Sequence, residues 1–196
     1  MPLVAVVYHS AFGHTKRQAE AVARGAGAVE GVETVLFSVD QFEPAVDGAY
    51  GPPWDVLERA DAIVLGCPTY MGSVSSAMKL FMERSSGLWF QQRWKDKLAG
   101  GFTNGGALAG DKLNTLVDMV LFAAQQGMIW VNLGIPISDS TMDGDPDGLN
   151  RMGAWLGAFA KSENGPPDKT PPPGDLATAH AYGERIARLS VRMAST

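Results

Sequence analysis

Short apolar runs alternate with segments of helical periodicity along most of the 196-residue chain. The first run, Leu3–Tyr8, is continuously apolar, which is typical of a strand buried on both faces of a parallel sheet. Further strands are predicted at 33–39, 62–65, 98–102 and 128–133. Five strands that alternate with helices indicate an α/β protein with helices on both faces of a parallel sheet.

Helices are predicted where apolar residues recur at spacings of three and four. A short helix is expected over Trp54–Arg59, and the positions that define the longer ones are Ala19, Val22, Ala23 and Ala26; Val74, Ala77, Met78 and Phe81; Leu113, Leu116, Val117, Val120 and Ala124; and Tyr182, Ile186, Leu189 and Met193.

An irregular stretch at about 135–175 interrupts this alternation. Its first half is acidic and its second half contains Pro-Gly clusters, but the spacing of Met152, Trp155, Leu156 and Phe159 predicts a helix over Leu149–Lys161. No repeat or linker divides the chain. We therefore expect one domain over residues 1–196, with an irregular insertion at about 135–175.

Composition narrows the class of protein. The net charge is −5 and the sequence has no basic run, so no nucleic-acid partner is expected. Cys67 is the only cysteine, which excludes an internal disulfide and favours a reducing compartment. No apolar run reaches the roughly 18 residues that a membrane span needs, and the N-terminus has no signal-peptide pattern. The expected location is cytoplasmic.

The turn Ser10–Thr15, between the first strand and the first helix, is the strongest candidate for a binding site. Backbone amides and the open end of a helix converge at such a corner, and the helix dipole favours an anion there. The alternative is an ordinary turn whose hydroxyl groups cap the helix.

Two more loops of small, polar and aromatic residues leave the carboxyl ends of strands, at Pro68–Gly72 and Thr103–Gly110. In an open parallel sheet these ends form one edge, where ligands bind. Backbone donors and aromatic walls without an acid–base pair suit a bound cofactor better than hydrolysis, and no catalytic side chain is assigned.

Metal and thiol chemistry are not expected. The run Asp143–Gly148 imitates the start of a calcium loop, but Ala154 stands where a bidentate Glu is required. Cys67, His9 and His180 are interpreted as structural residues.

Three motifs taken in order resemble the WrbA family of flavodoxin-like NAD(P)H:quinone oxidoreductases. They are Tyr8-His9-Ser10-Ala11-Phe12-Gly13-His14-Thr15; Pro68-Thr69-Tyr70-Met71-Gly72 with Ser75, Met78 and Phe81; and Gly87-Leu88-Trp89. The similarity extends through Gln126-Gly127-Met128 and the last helix, and so covers most of the chain outside Ile135–Asp175.

This resemblance implies a doubly wound five-stranded parallel sheet with the order 2-1-3-4-5, and FMN as cofactor. The phosphate of FMN would lie on Ser10, Ala11, Phe12, Gly13, His14 and Thr15. The flavin ring would lie against Pro68, Thr69, Tyr70, Met71 and Gly72, and against Thr103, Asn104, Gly105, Gly106, Ala107, Leu108 and Ala109. Gln126 takes the place of a family histidine near the flavin, while Phe12 and Trp89 would contact the nicotinamide nucleotide and the second substrate.

The implied activity is two-electron transfer from NAD(P)H through FMN to a quinone, in a homo-oligomer (a dimer or tetramer). Three alternatives stay open: a flavodoxin-type carrier of single electrons, an FMN or azo-dye reductase, and an interaction protein without flavin. The modest net charge disfavours the carrier, because docking of carriers usually exploits a strongly acidic face.

Overall fold

Strands and helices alternate along the chain in a computed structural model that describes residues 1–137, 145 and 147–195. The strands are β1 (Leu3–Tyr8), β2 (Glu33–Ser38), β3 (Ala62–Tyr70), β4 (Ser73–Val74), β5 (Leu98–Gly105), β6 (Ile129–Trp130) and β7 (Ala158–Lys161). The helices are α1 (His14–Gly27), α2 (Pro52–Arg59), α3 (Ser76–Arg84), α4 (Ser86–Phe90), α5 (Lys112–Gln125) and α6 (Pro173–Ala194), with a 3₁₀ turn at Val39–Gln41.

The strands form one sheet with the path β2-β1-β3-β5-β6, and every pair along this path is parallel. β4 pairs antiparallel with the end of β3, and β7 pairs parallel with the end of β5. The predicted α/β class and the parallel sheet are thus confirmed. The predicted number of strands is too low, because the described residues contribute seven strands to this sheet and β4 and β7 were not predicted.

Helices cover both faces of the sheet, as the apolar pattern predicts. Val4 and Val6 of β1 face α1 and α6, whereas Leu3, Ala5 and Val7 face the layer of α2, α3 and α5. β1 is therefore buried on both sides, which explains its continuous apolar run. Among the described residues, no helix combines the length and the apolar character needed to cross a bilayer.

The outer edge of β5 is shared by two short strands. β6 pairs with Leu98 and Ala99 at its start, and β7 pairs with Phe102 to Gly105 at its end. Between them, the N–H of Gly101 donates to the hydroxyl of Tyr182 (3.2 Å), which itself donates to the carbonyl of Val131 (2.5 Å). Tyr182 thus completes the hydrogen bonding of the sheet where the chain leaves it.

The segment Leu149–Lys161 is not the helix that its apolar spacing predicts. It contains turns and then β7, and two glycines explain why. Gly153 has a φ of +64°, and a Cβ at Gly157 would lie 2.0 Å from the carbonyl oxygen of Gly101. Helix geometry at these two positions would break the close approach to β5. Residues 143, 144 and 146 of the run 143–148 lie outside the described residues, so the expectation that this run does not bind calcium is untested.

The apolar face predicted for α5 is displaced. Leu113 and Ala124 are exposed, whereas Met119 and Ala123 pack into the core together with the polar residue Thr115. The fifth predicted strand, 128–133, is also shorter than expected, since only Ile129–Trp130 pairs as β6. Val74, which was assigned to the face of the following helix, belongs to β4 instead.

The role of Tyr182 at the break between β6 and β7 gives a stability prediction. Replacing Tyr182 with Phe leaves a buried N–H and a buried carbonyl without their partner, and should lower the free energy of unfolding by about 2–3 kcal/mol. Urea denaturation followed by circular dichroism measures this change. Tyr70→Phe, at a half-exposed position, is the matched control. Equal stability of Tyr182→Phe and wild type would contradict this role.

Candidate functional site

A cleft of about 520 Å³ lies at the carboxyl edge of the sheet. The loops that follow β1, β3 and β5 meet there, as the sequence predicts, and a fourth segment that follows β7 joins them. The residues that line the cleft are Ser10, Ala11, Phe12, His14, Thr15, Pro68, Thr69, Tyr70, Asn104, Gly105, Gly106, Ser162, Glu163, Asn164 and Gly165.

The corner between β1 and α1 has the features of an anion site. Gly13, directly before α1, has the left-handed conformation (φ +87°), and no side-chain hydrogen bond from the described residues caps the helix. The first amide groups of α1 therefore have no partner within the helix. Ser10 lines the cleft, and its hydroxyl oxygen is buried without a hydrogen-bond partner among the described residues.

His14 does not add a donor to this corner. Its Nε2–H donates to the carbonyl of Gly165 (2.8 Å), and Nη1 of Arg17 donates to the carbonyl of Pro167 (2.6 Å). A Cβ at Gly13 would lie 3.0 Å from the Pro167 ring, so the corner and the segment after β7 fit closely together. These two side chains hold the fourth wall in place.

The second loop is a tight hairpin rather than an irregular loop. β3 continues to Tyr70, and Met71 and Gly72 both have positive φ (49° and 79°), as in a two-residue turn of type I′. Asp118 of α5 holds the hairpin, since it accepts hydrogen bonds from the Ser73 hydroxyl (2.5 Å) and the Val74 amide (3.3 Å). Tyr70 lines the cleft, while Met71 is fully exposed at the tip.

Three threonine hydroxyls join the second and third loops. The hydroxyl oxygen of Thr69 lies 2.9 Å from that of Thr103 and 2.8 Å from that of Thr115. The Thr103 hydroxyl donates to the carbonyl of Cys67 (2.7 Å). Thr103 is thus buried beneath the cleft and does not line it. Asn104 does line the cleft, and its Oδ1 is buried without a partner among the described residues.

Lys112 supports the third loop from below. It is almost completely buried, and its Nζ donates to the carbonyls of Ala107 and Leu108 (3.1 Å for the latter). Burial is the main cause that lowers the pKa of Lys112, to about 8; Asp175 opposes the decrease, and two nearby cations add to it. These cations are Arg151, which forms a buried ion pair with Asp175, and Lys161.

The segment Ser162–Gly165 was not predicted as part of the site. It reaches the cleft because β7 pairs with the end of β5, and the amide of Ser162 donates to the carbonyl of Gly105 (3.2 Å). Its sequence, Ser-Glu-Asn-Gly, has the same small and polar composition as the three predicted loops. This composition could have identified the segment as part of the site. It was not used because the adjacent residues Leu149–Lys161 were predicted to form a helix.

Gln126 does not lie in the cleft of its own chain. It follows α5, which runs for about 21 Å away from the third loop, and the neighbouring Gly127 accepts a hydrogen bond from Asp96, just before β5 begins. Gln126 is therefore at the amino edge of the strands, where its side chain donates to the Ser85 hydroxyl (2.9 Å). The sequence-based placement of Gln126 beside the site does not hold within one chain.

Several other predicted residues lie outside the lining. Trp89 belongs to α4, and the nine residues of α3 separate it from the cleft by about 13 Å along the helix axis. The remaining members lie in the loops that form the cleft but do not line it; they are Gly13, Met71, Gly72, Thr103, Ala107, Leu108 and Ala109.

Cys67 and His9 have structural surroundings. Burial raises the pKa of the Cys67 thiol to about 12, and the imidazole of His9 lies 2.8 Å from the Ser75 hydroxyl. Within the described part of the chain, no group of three or more His, Cys, Asp or Glu residues is arranged to hold a metal ion.

The sheet order and the position of the cleft define a flavodoxin-like α/β protein. A crystal structure described as the flavodoxin, WrbA-like protein from Agrobacterium tumefaciens superimposes with a TM-score of 0.73 at 38% identity, covering 98% of this chain and 99% of that one. The fold is thus shared over 98% of the chain.

Sequence comparison assigns the family. The family model for NADPH-dependent FMN reductase matches residues 3–140, so the chain belongs to that family. Flavodoxin FldP of Pseudomonas aeruginosa is 38% identical over 193 residues, which cover 98% of this chain and 99% of that protein. A protein named NAD(P)H dehydrogenase (quinone), from Geobacter sulfurreducens, is 31% identical over 97% of this chain and 98% of its own length.

The buried lysine beneath the third loop gives a prediction about pH. Because the pKa of Lys112 is lower in the folded state, the unfolded chain binds more protons between about pH 8 and pH 10.5. The free energy of unfolding of wild type relative to Lys112→Met should therefore rise across this range, by about 1–3 kcal/mol.

Urea denaturation at pH 7, 8, 9 and 10 measures this difference, with Lys79→Met on the exposed side of α3 as the control for the loss of a lysine. If the free energy of unfolding of wild type relative to Lys112→Met stays constant from pH 7 to pH 10, folding does not lower the pKa of Lys112.

Proposed function

We propose that the cleft binds FMN and that the protein transfers two electrons from NAD(P)H to a quinone-type acceptor. The observation that carries this proposal is that an uncapped helix N-terminus meets Ser10 and Asn104 in one cleft, and that each of these residues has a buried oxygen atom without a partner among the residues that the structure describes. Buried polar groups are nearly always hydrogen-bonded, so these atoms indicate a ligand that completes the site.

The donors at the β1–α1 corner fit a phosphate group. The open amides of α1 and its dipole favour an anion, and the first turn contains no acidic residue. Ser10 lines the cleft beside this corner, and its hydroxyl can add a donor. Ser10 and the backbone of Ala11 to Thr15 would therefore hold the phosphate of FMN, as the sequence predicts.

The remaining lining fits a flat, largely apolar ring. Pro68 and Tyr70 lie on one side and the backbone of Gly105 and Gly106 on another, where small residues allow close approach. These positions would hold the flavin ring, together with the loop residues to Ala109.

The lining has few groups that could catalyse acid–base chemistry. Its ionisable side chains are His14, Tyr70 and Glu163, and the Nε2 of His14 is already hydrogen-bonded to Gly165. Bound FMN would supply the redox chemistry, while the protein binds and orients it and leaves one side open to substrate. Phe12 is largely exposed at the rim of the cleft, where it can contact a nicotinamide nucleotide.

NAD(P)H and quinones are proposed as substrates on the basis of the family and of the relatives named NAD(P)H dehydrogenase (quinone). The contact of Trp89 with substrate, the assembly as a dimer or tetramer and the cytoplasmic location stay predictions.

A charge substitution tests the phosphate site. Ser10→Asp places a negative charge beside the proposed phosphate, and should weaken FMN binding at least 100-fold by repulsion in a partly buried site. Quenching of flavin fluorescence by the apo-protein measures binding, and circular dichroism checks the fold. Ser195→Asp, at the exposed end of α6, controls for the added charge. Unchanged affinity of Ser10→Asp would place the phosphate elsewhere.

A second candidate function is that of an electron carrier, favoured by the 38% identity to Flavodoxin FldP over nearly the whole chain. The two functions predict different behaviour of FMN-loaded protein under anaerobic conditions. An oxidoreductase should lose its yellow colour on addition of NADPH alone and regain it with benzoquinone, over many cycles. A carrier should keep its colour until a partner reductase is added, and that outcome would overturn the enzymatic proposal.

A further inference from the structure

The segment Ser162–Gly165 runs along one side of the cleft, between two fixed points. At one end the amide of Ser162 donates to Gly105 of the third loop (3.2 Å), and at the other the carbonyl of Gly165 accepts from His14 at the phosphate corner (2.8 Å). The segment therefore lies beside the middle of any ligand that reaches from the corner to the third loop.

Ser162 brings an unsatisfied hydroxyl to this side. The residue is only 6% exposed and lines the cleft, and its Oγ is buried without a hydrogen-bond partner among the described residues. Its backbone amide, in contrast, is hydrogen-bonded, and so is that of Glu163. Burying a hydroxyl without a partner costs free energy, so Oγ is expected to meet a polar group that the chain does not provide.

The chemistry around Ser162 indicates a neutral, hydroxylated ligand group. Asn104, on the neighbouring strand, is 4% exposed, and its Oδ1, which can only accept hydrogen bonds, has no partner within the described ranges. Glu163 also lines the cleft, but its carboxylate is exposed and pairs with Lys161 (3.1 Å). The amide oxygen of Asn104 repels a phosphate, whereas a hydroxyl group can donate to Oδ1 and exchange a hydrogen bond with a serine.

We infer that Ser162 forms a hydrogen bond with the polyol chain of the flavin, which joins the ring to the phosphate. Asn104 accepts hydrogen bonds from the hydroxyl groups of the same chain. This inference rests on the proposed binding of FMN and adds a contact from outside the three predicted loops. It makes the segment after β7 a determinant of flavin affinity.

A series of flavins that differ only in the side chain tests the inference. Apo-protein is titrated with FMN, with riboflavin (polyol without phosphate) and with lumiflavin (ring without polyol), following flavin fluorescence. Ser162→Ala should bind FMN and riboflavin about three- to tenfold more weakly than wild type, the usual effect of one lost hydrogen bond. Its affinity for lumiflavin should equal that of wild type.

The stability of the apo-protein provides a second readout. Because Oγ of Ser162 has no partner in the described part of the chain, Ser162→Ala should unfold in urea at the same or a slightly higher concentration than wild type. A clear loss of stability would instead show that the hydroxyl has a structural role, and would overturn the inference.

Ser10→Ala is the matched control, since it should weaken binding of FMN but not of riboflavin. An equal loss for all three flavins in Ser162→Ala would place the contact on the ring, and a loss for FMN alone would place it on the phosphate; either overturns the inference. Failure of wild type to bind any of the three would overturn the proposed function itself, and is thereby distinguished from failure at Ser162.

Discussion

The parallel register of β1, β3 and β5 is the constraint on which the site depends. Tyr8 pairs with Gly66, and Pro68 pairs with Asn104, so the three strands end at the same edge with their loops side by side. A shift of one residue would move Val4 and Val6 into the layer that Leu3, Ala5 and Val7 now fill, and both layers are closely packed cores. The packing of the core thus fixes the relative positions of three loops that are distant in sequence.

The divided outer edge of β5 has a further consequence. A single long strand would pair with all the backbone hydrogen-bonding groups on the outer edge of β5. The chain instead leaves the sheet after Trp130 and returns to it at Ala158. The gap is filled by the Tyr182 hydroxyl and by Gly157, whose missing side chain lets the backbone approach Gly101. The returning strand ends at the carboxyl edge, and so the segment that follows it, Ser162–Gly165, adds a fourth wall to a cleft that the other loops leave open.

How far the sequence predicts this structure depends on the residue patterns involved. Leu3–Tyr8 is recognisable as a buried strand, and the small residues at its end indicate a ligand site, because both features are local. The apolar residues of Leu149–Lys161 have helical spacing, yet Gly157 must approach Gly101 closely. These two residues are more than 50 positions apart, and local periodicity contains no information about such a contact. β5, from the middle of the chain, decides the conformation there.

The same reasoning explains the errors at α5 and at Gln126. Apolar periodicity assigns the buried face to the most hydrophobic stripe, but the inner face of α5 has to support the loop of the site, and its Lys112 and Thr115 do so through hydrogen bonds to Leu108 and Thr69. These two residues are buried because they form hydrogen bonds that support the loops of the cleft, and not because they are hydrophobic. Gln126 then falls one helix length away, because a helix that begins beneath the cleft must end at the far edge of the sheet. Polar residues in a helix directly after a glycine-rich loop are therefore candidates for supporting that loop, even where the apolar pattern points to the other face.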